Sequence, residues 1–206
     1  MSAERVHDTR SSILEAAERL ILDRGIGSAT TREIARSAGC AEGSIYRYFP
    51  DKHALFTELV GTRYSGFFQL METLPDRAGT STVRRNLEEV ATSAIDFYYG
   101  IVPMVGGALA EEELLLQHRR HFQAANKGPM KIIRSLGDYI RREQGLGRVA
   151  DRISVDHAAQ AILGACFAHA FLLRFLGEET ITEPNDRFAR AVVKTVLQGM
   201  EPPAER

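Results

Sequence analysis

Residues 30–56 read TTREIARSAGCAEGSIYRYFPDKHALF, and this stretch decides the fold. Thr30-Thr31-Arg32-Glu33 fits a capping box: the Thr30 hydroxyl accepts from the Glu33 amide and the Glu33 carboxylate returns to the Thr30 amide. A short helix therefore starts at Thr31 and runs to Ala38, with Ile34, Ala35 and Ala38 inward and Arg32 and Arg36 on the outer face. Gly39 supplies the positive φ that ends it. A further short helix follows over Glu42–Phe49. It buries Ile45 and Phe49 and presents Gly43, Ser44, Tyr46, Arg47 and Tyr48. Two short helices joined by a glycine-containing turn make a helix-turn-helix, whose second member enters the DNA major groove.

Outward from that stretch the periodicity stays helical. Upstream, Ile13, Ala17, Leu20 and Ile21 share one face of a first helix that Gly25 is expected to stop. Downstream, Pro50-Asp51 breaks the chain and caps a long fourth helix that is expected to reach about Leu74, before Pro75. Five more helices are marked by punctuation: about 81–98 before Gly100, 103–126 opened by Pro103, 129–143, 155–176 before Gly177, and 185–200. The one strand-like alternation, Val149, Ile153 and Val155, is too short to pair. The expectation is an all-α fold of about nine helices. An N-terminal three-helix helix-turn-helix DNA-binding domain covers 1–50, and a larger C-terminal ligand-binding and dimerisation bundle covers 51–206.

Composition bounds the function. The 206 residues are 44% hydrophobic and 26% charged, enough apolar material for a packed core. Net charge is −1, and residues 1–53 hold eight basic and eight acidic side chains, so DNA contact must come from local placement rather than bulk charge. Cys40 and Cys166 match no zinc or redox spacing. The N-terminus lacks an apolar signal region, and the longest uncharged apolar stretch, His157–Leu173, is 17 residues with two histidines in it, short of the ~20 that a span needs. A cytoplasmic protein without a membrane partner is expected. Gly145–Ala150 matches G-x-G-x-x-A but follows a helix end rather than a strand. His118 and His121 have no glutamate three residues before them, as a di-iron bundle requires. No nucleophile with its base is evident, so no enzyme, no metal and no cofactor are expected.

The opening stretch resembles the DNA-binding domain of the tetracycline-repressor-like (TetR) family of bacterial regulators. The matching features are a threonine-opened helix, Ile34-Ala35, Ala38-Gly39, Gly43-Ser44-Ile45-Tyr46, the Tyr48-Phe49 pair, and Asp51-Lys52 followed by Leu55-Phe56. The resemblance implies residue roles. Thr31, at a helix start, favours a phosphate, and Tyr46, Tyr48 and Lys52 are phosphate anchors that position without reading sequence. Gly43 allows close backbone approach, Ser44 and Arg47 touch base edges, and Arg32 reaches a base or a phosphate. Two positions depart from the family pattern. Ala41 offers no side-chain cap to the recognition helix. Glu42, in its first turn, suits the helix dipole but repels phosphates, unless it accepts from a cytosine amino group.

In the larger part, the 155–176 helix is apolar nearly all round and must be covered on two sides. The last helix carries two apolar stripes. A two-fold homodimer through a four-helix contact of these two helices is the economical answer, with Ile162, Cys166, Ala170, Leu173, Val193 and Leu197 at the interface. The resemblance points to the same helices, and a dimer would present two recognition helices to an inverted-repeat operator. It also implies an inducer pocket among Phe67, Phe68, Met71, Phe97, Tyr98, Met104, His118, Phe122 and Phe167, although residue by residue an aromatic or methionine stripe is better explained as core. The function expected is a ligand-responsive DNA-binding regulator, a repressor released from double-stranded DNA by a small, largely apolar effector. The alternative is a helical sensor or enzyme whose N-terminal helices bind protein.

Overall fold

The computed structural model describes residues 3–110 and 128–199, with 112, 115, 116, 119 and 120. Among the described residues the elements are helical, with no strand: α1 (Ala3–Ser28), α2 (Thr31–Ser37), α3 (Glu42–Tyr48), α4 (Lys52–Arg63), α5 (Ser65–Thr73), a 3₁₀ turn (Leu74–Arg77), α6 (Val83–Ala110), α7 (Pro129–Gly145), α8 (Val155–Leu176) and α9 (Asn185–Gln198). Two compact units emerge: Met1–Ser65 with Gly100–Asn126, and Gly66–Tyr99 with Lys127–Arg206.

The first unit is built on one apolar cluster. Ile13, Ala17 and Ile21 of α1 meet Ile34 and Ala35 of α2, Ile45 of α3 and the following Phe49. Leu55, Phe56 and Leu59 of α4 belong to the same cluster, so the compact unit continues past residue 50. Helix α1 runs through Gly25 to Ser28 rather than stopping there. A helical glycine costs only ~1 kcal/mol relative to alanine, less than burial of Ile21 and Ala29 on either side returns.

Two further boundaries differ from those read in the sequence. The single long fourth helix is two helices, α4 and α5, broken at Tyr64, whose backbone leaves the helical region (φ −111°, ψ 26°). The expected break near Gly100 is absent, and α6 is continuous from Val83 to Ala110. The two findings share a cause. A Cβ at Gly100 would overlap the Tyr64 hydroxyl; the glycine is there to let the tyrosine approach, not to end a helix. Pro103 sits inside α6, where it cannot donate to the carbonyl four residues back. That carbonyl belongs to Tyr99 and instead accepts from Arg174 Nε at 2.9 Å. The guanidinium also stacks 3.8 Å over the Tyr99 ring. The helix tolerates its proline because another helix supplies the missing donor.

The second unit buries one side of α7 (Ile132, Leu136, Tyr139, Ile140) and eight residues of α8. Helix α7 packs on α8 and on the 3₁₀ turn, and α9 packs on α8. Glu143, fully buried, accepts from the Gly79 amide at 3.3 Å and pairs with Arg148 at 3.3 Å. Asn86 bridges the Tyr139 hydroxyl (3.0 Å) and the Thr80 carbonyl (3.1 Å). Burial pushes the Tyr139 phenol up to about 12, so it stays neutral and hydrogen-bonded. These links fasten the 77–82 loop to α7. Helix α8 is long and apolar enough by length and composition to cross a bilayer, and its buried face is covered by the chain itself.

Candidate nucleic-acid interface

The capping box forms as the sequence dictates. Glu33 N–H donates to Thr30 Oγ1 at 3.2 Å, and Thr30 N–H donates to the Glu33 carboxylate at 3.3 Å. Gly39 closes α2 with φ +68°, a conformation that excludes most side chains. The chain then enters α3 at Ala41, which makes no side-chain cap. Asp51 does cap α4, accepting from the Ala54 amide at 2.7 Å. Sharp, separately terminated helices fix α3 on α2 and α1 through Ile45 and Phe49, each at most 1% exposed.

With those two side chains inward, the rest of α3 is turned out. Gly43, Tyr46 and Arg47 are exposed and Ser44 is half-buried. Tyr46 shows 52% of its surface. A Cβ at Gly43 would meet nothing within 4 Å, so nothing in the chain itself demands a glycine there. On α2, Arg32 is almost fully exposed and Thr31 half-buried. Lys52, at the start of α4, extends its ammonium over Phe56 at 5.6 Å. Tyr48 differs from its neighbours, because its ring packs against the apolar cluster.

A contact that the sequence reading did not foresee joins the two short helices. Thr31 Oγ1 donates to Glu42 Oε1 at 2.8 Å. Its proton thus engaged, the Thr31 oxygen accepts from the Tyr46 hydroxyl at 3.2 Å. Arg32 Nε stands 3.8 Å from the other Glu42 oxygen. No spacing rule forecasts an eleven-residue side-chain bridge of this kind. Two other acids of the unit are paired: Glu58 with Arg10 at 2.5 Å and Glu18 with Arg63 at 2.9 Å. Each pair removes one acid with one base, so the balance of charge is unchanged, and it is placement that puts Arg32 and Arg47 on the exposed side of α2 and α3.

In the second unit the expected pocket residues are partly assembled. Phe67 stacks on Phe97 (ring centroids 4.5 Å apart), Phe68 meets Phe97 edge-on (5.4 Å), and Tyr98 meets Phe167 edge-on (5.4 Å). Phe97 and Tyr98 close the series at 5.3 Å. Burial pushes the Tyr98 phenol up to about 12, which keeps this row uncharged. Met71 is buried in the same unit, whereas Met104 lies in the apolar cluster of the first unit. His118 and Phe122 lie outside the described residues. Two open clefts are found beside α6, of about 530 Å³ and 430 Å³. Their walls are charged and polar, with Arg85, Glu88, Asp96 and Arg190 in the larger.

The residues expected at a partner-facing surface divide unexpectedly. Ile162, Cys166, Ala170, Leu173 and Val193 are buried by the chain's own packing, and only Leu197 is exposed. Helix α8 has two apolar stripes, and Ile162, Cys166, Ala170 and Leu173 lie on the inward one. The outward stripe consists of Phe171, Leu172, Phe175 and Leu176, and Phe175 is 73% exposed. A helical wheel finds both stripes; which one the chain covers is decided only by where α7 and α9 pack.

Comparison with known proteins agrees with this geometry. The family "Bacterial regulatory proteins, tetR family" matches residues 13–59, the span from α1 to α4. The transcriptional repressor BepR of Brucella suis is 44% identical over 54 residues, 26% of this chain and 26% of that protein. The match thus covers about a quarter of that relative's length. Over nearly the full chain the likeness is one of fold. FadR of Bacillus subtilis, solved with stearoyl-CoA, has a TM-score of 0.67 at 17% identity, covering 93% of this chain and 99% of that one. NalD, the secondary repressor of the MexAB-OprM multidrug efflux pump in Pseudomonas aeruginosa, has a TM-score of 0.63 at 22% identity, covering 95% and 97%. A capping-box helix, a glycine turn, an outward-facing α3 and the matching sequence converge on one conclusion: residues 13–59 are a DNA-binding region of the kind found in the tetR family of bacterial regulatory proteins.

Proposed function

We propose that this chain is a ligand-responsive, DNA-binding transcriptional repressor that acts as a homodimer on an inverted-repeat operator. The observation that carries the reading is the division of α3, with Ile45 buried and Gly43, Tyr46 and Arg47 exposed on one short rod. Such a rod fits the major groove. Thr31, Arg32, Tyr46, Tyr48 and Lys52 hold backbone phosphates, while Ser44 and Arg47 meet base edges. An arginine fork on guanine contributes about 1–3 kcal/mol of discrimination. Residues 1–50 with Lys52 carry this reading function, and the rest of 51–206 carries effector binding and pairing.

The outward stripe of α8, Phe171, Leu172, Phe175 and Leu176, together with Leu197 of α9, is the surface that a second copy covers. Water against so many adjacent apolar side chains is unfavourable, and a two-fold contact buries both copies at once. The effector is a largely apolar molecule that inserts along the Phe67–Phe97–Tyr98–Phe167 row. Charged walls make the two open clefts poor seats for such a molecule. FadR of Bacillus subtilis, whose fold resembles that of this chain, is a transcriptional regulator seen with stearoyl-CoA. Release follows from linkage: an effector that favours a form unable to seat both recognition helices must weaken DNA binding, and DNA must weaken effector binding by the same factor.

Titration of the full chain against DNA from upstream of its own gene, at low salt and with a scrambled duplex as control, tests the proposal. Tighter binding to an inverted repeat, relieved by a long-chain acyl compound, supports it. Equal and negligible binding to both duplexes would overturn it.

A further inference from the structure

We infer that Glu42 is a built-in competitor for DNA phosphate, a carboxylate seated on the donors that a backbone phosphate needs. The inference rests on the DNA-binding reading above and adds to it a residue that sets overall affinity. Three groups of the proposed phosphate face converge on this one side chain. Thr31 donates to it at 2.8 Å, Tyr46 is tied in through the Thr31 oxygen at 3.2 Å, and Arg32 stands at 3.8 Å. Carboxylate and phosphate oxygens are both anionic acceptors and draw on the same hydroxyl and guanidinium donors. One Thr31 proton cannot serve both, and a carboxylate left in place repels the incoming phosphate.

The contact is also made to be exchanged. The Glu42 side chain keeps 41% of its surface in water, so it can swing out and remain hydrated instead of stranding a buried charge. Displacement must then occur on any duplex, whatever its sequence, because the donors concerned contact phosphate and not bases. Ser44 and Arg47 take no part in the bridge. Glu42 therefore lowers affinity for operator and for random DNA alike and leaves their ratio unchanged. In a unit with no excess positive charge, this makes the neutral balance part of the design: the protein leaves non-specific DNA readily.

The test compares Glu42→Ala and Glu42→Gln with the parent full chain, on operator and scrambled duplexes across a salt series. Thermal melting of each variant is recorded alongside. Glu42→Ala should tighten both complexes about tenfold, the size of one charge-assisted hydrogen bond removed, with the operator-to-scrambled ratio unchanged. Glu42→Gln, which loses the charge but keeps an acceptor for Thr31, should tighten both by less, and serves alone if the alanine variant melts early. In a Thr31→Val background most of the gain should vanish, since the contested donor is gone. Unchanged or weaker binding by the variants to both duplexes would overturn the inference, as would selective loss of operator binding, the mark of a residue that reads a base. If the parent binds no duplex at all, the DNA-binding reading falls. If the parent binds, Lys52→Ala weakens it and Glu42→Ala changes nothing, this inference alone falls.

Discussion

The two units of this chain are both helical, yet they present opposite surfaces. In the first, the large side chains on the recognition helix alternate between full burial and a polar, hydrogen-bonding exterior: Ile45 in, Tyr46 and Arg47 out. In the second, α8 is apolar on its buried and its exposed face, with Cys166 fully buried and Phe175 mostly in water. A surface that hydrogen-bonds suits a wet, charged partner, whereas one that only excludes water suits another apolar surface. The difference teaches that the exposed face of α3 is one that water can solvate, whereas the exposed face of α8 is one that water solvates poorly.

That contrast can be broken from either side. The largest effect expected is from Ile45→Ala, which should lower the unfolding free energy by about 3 kcal/mol, as for other buried branched side chains, read as an earlier denaturant midpoint. Its neighbour Arg47→Ala should leave the midpoint in place. Next comes Phe175→Glu, which should convert a dimer to a monomer in sedimentation and weaken operator binding on the order of a hundredfold through loss of the second half-site. Cys166→Ser, on the inward stripe, should keep the dimer. If the inward substitution separates the copies and the outward one does not, the assignment of the two stripes is wrong.

Smaller effects sharpen the picture of the first unit. Arg47→Ala should cost about 1–3 kcal/mol of discrimination between operator and scrambled DNA. Lys52→Ala should weaken binding to both and reduce the slope of log affinity against log salt by about one. The smallest effect concerns thiol chemistry. Burial pushes the Cys166 thiol up to about 12. Native protein at pH 8 should therefore hold it as unreactive thiol, and alkylation of Cys166 should appear only on unfolding.

How much was legible in the sequence follows the same division. The capping box at Thr30–Glu33, the turn at Gly39, the Asp51 cap and the inward pair Ile45 and Phe49 are all set by residues within a few positions of one another. Each was readable because local backbone chemistry decides it. The break at Tyr64, the continuity of α6 through Gly100 and Pro103, and the choice of stripe on α8 are decided by distant partners. Gly100 has the look of a helix stop until Tyr64 is seen lying on it. Pro103 has the look of a helix start until Arg174 is seen serving the Tyr99 carbonyl. The Glu42 bridge belongs to the second kind too, although all its members lie within the decisive stretch: sequence places the carboxylate at the start of α3, and only packing brings Thr31 within its reach.

Selection of bound sequences from a random duplex pool by the full-length chain tests the central claim most directly. The account expects enrichment of an inverted repeat whose half-sites lie a whole number of helical turns apart on one face of the duplex, bound by an even number of chains, with Arg47→Ala flattening preference within each half-site. Recovery of an unenriched pool at low salt, or of single unpaired half-sites bound by one chain, would contradict it.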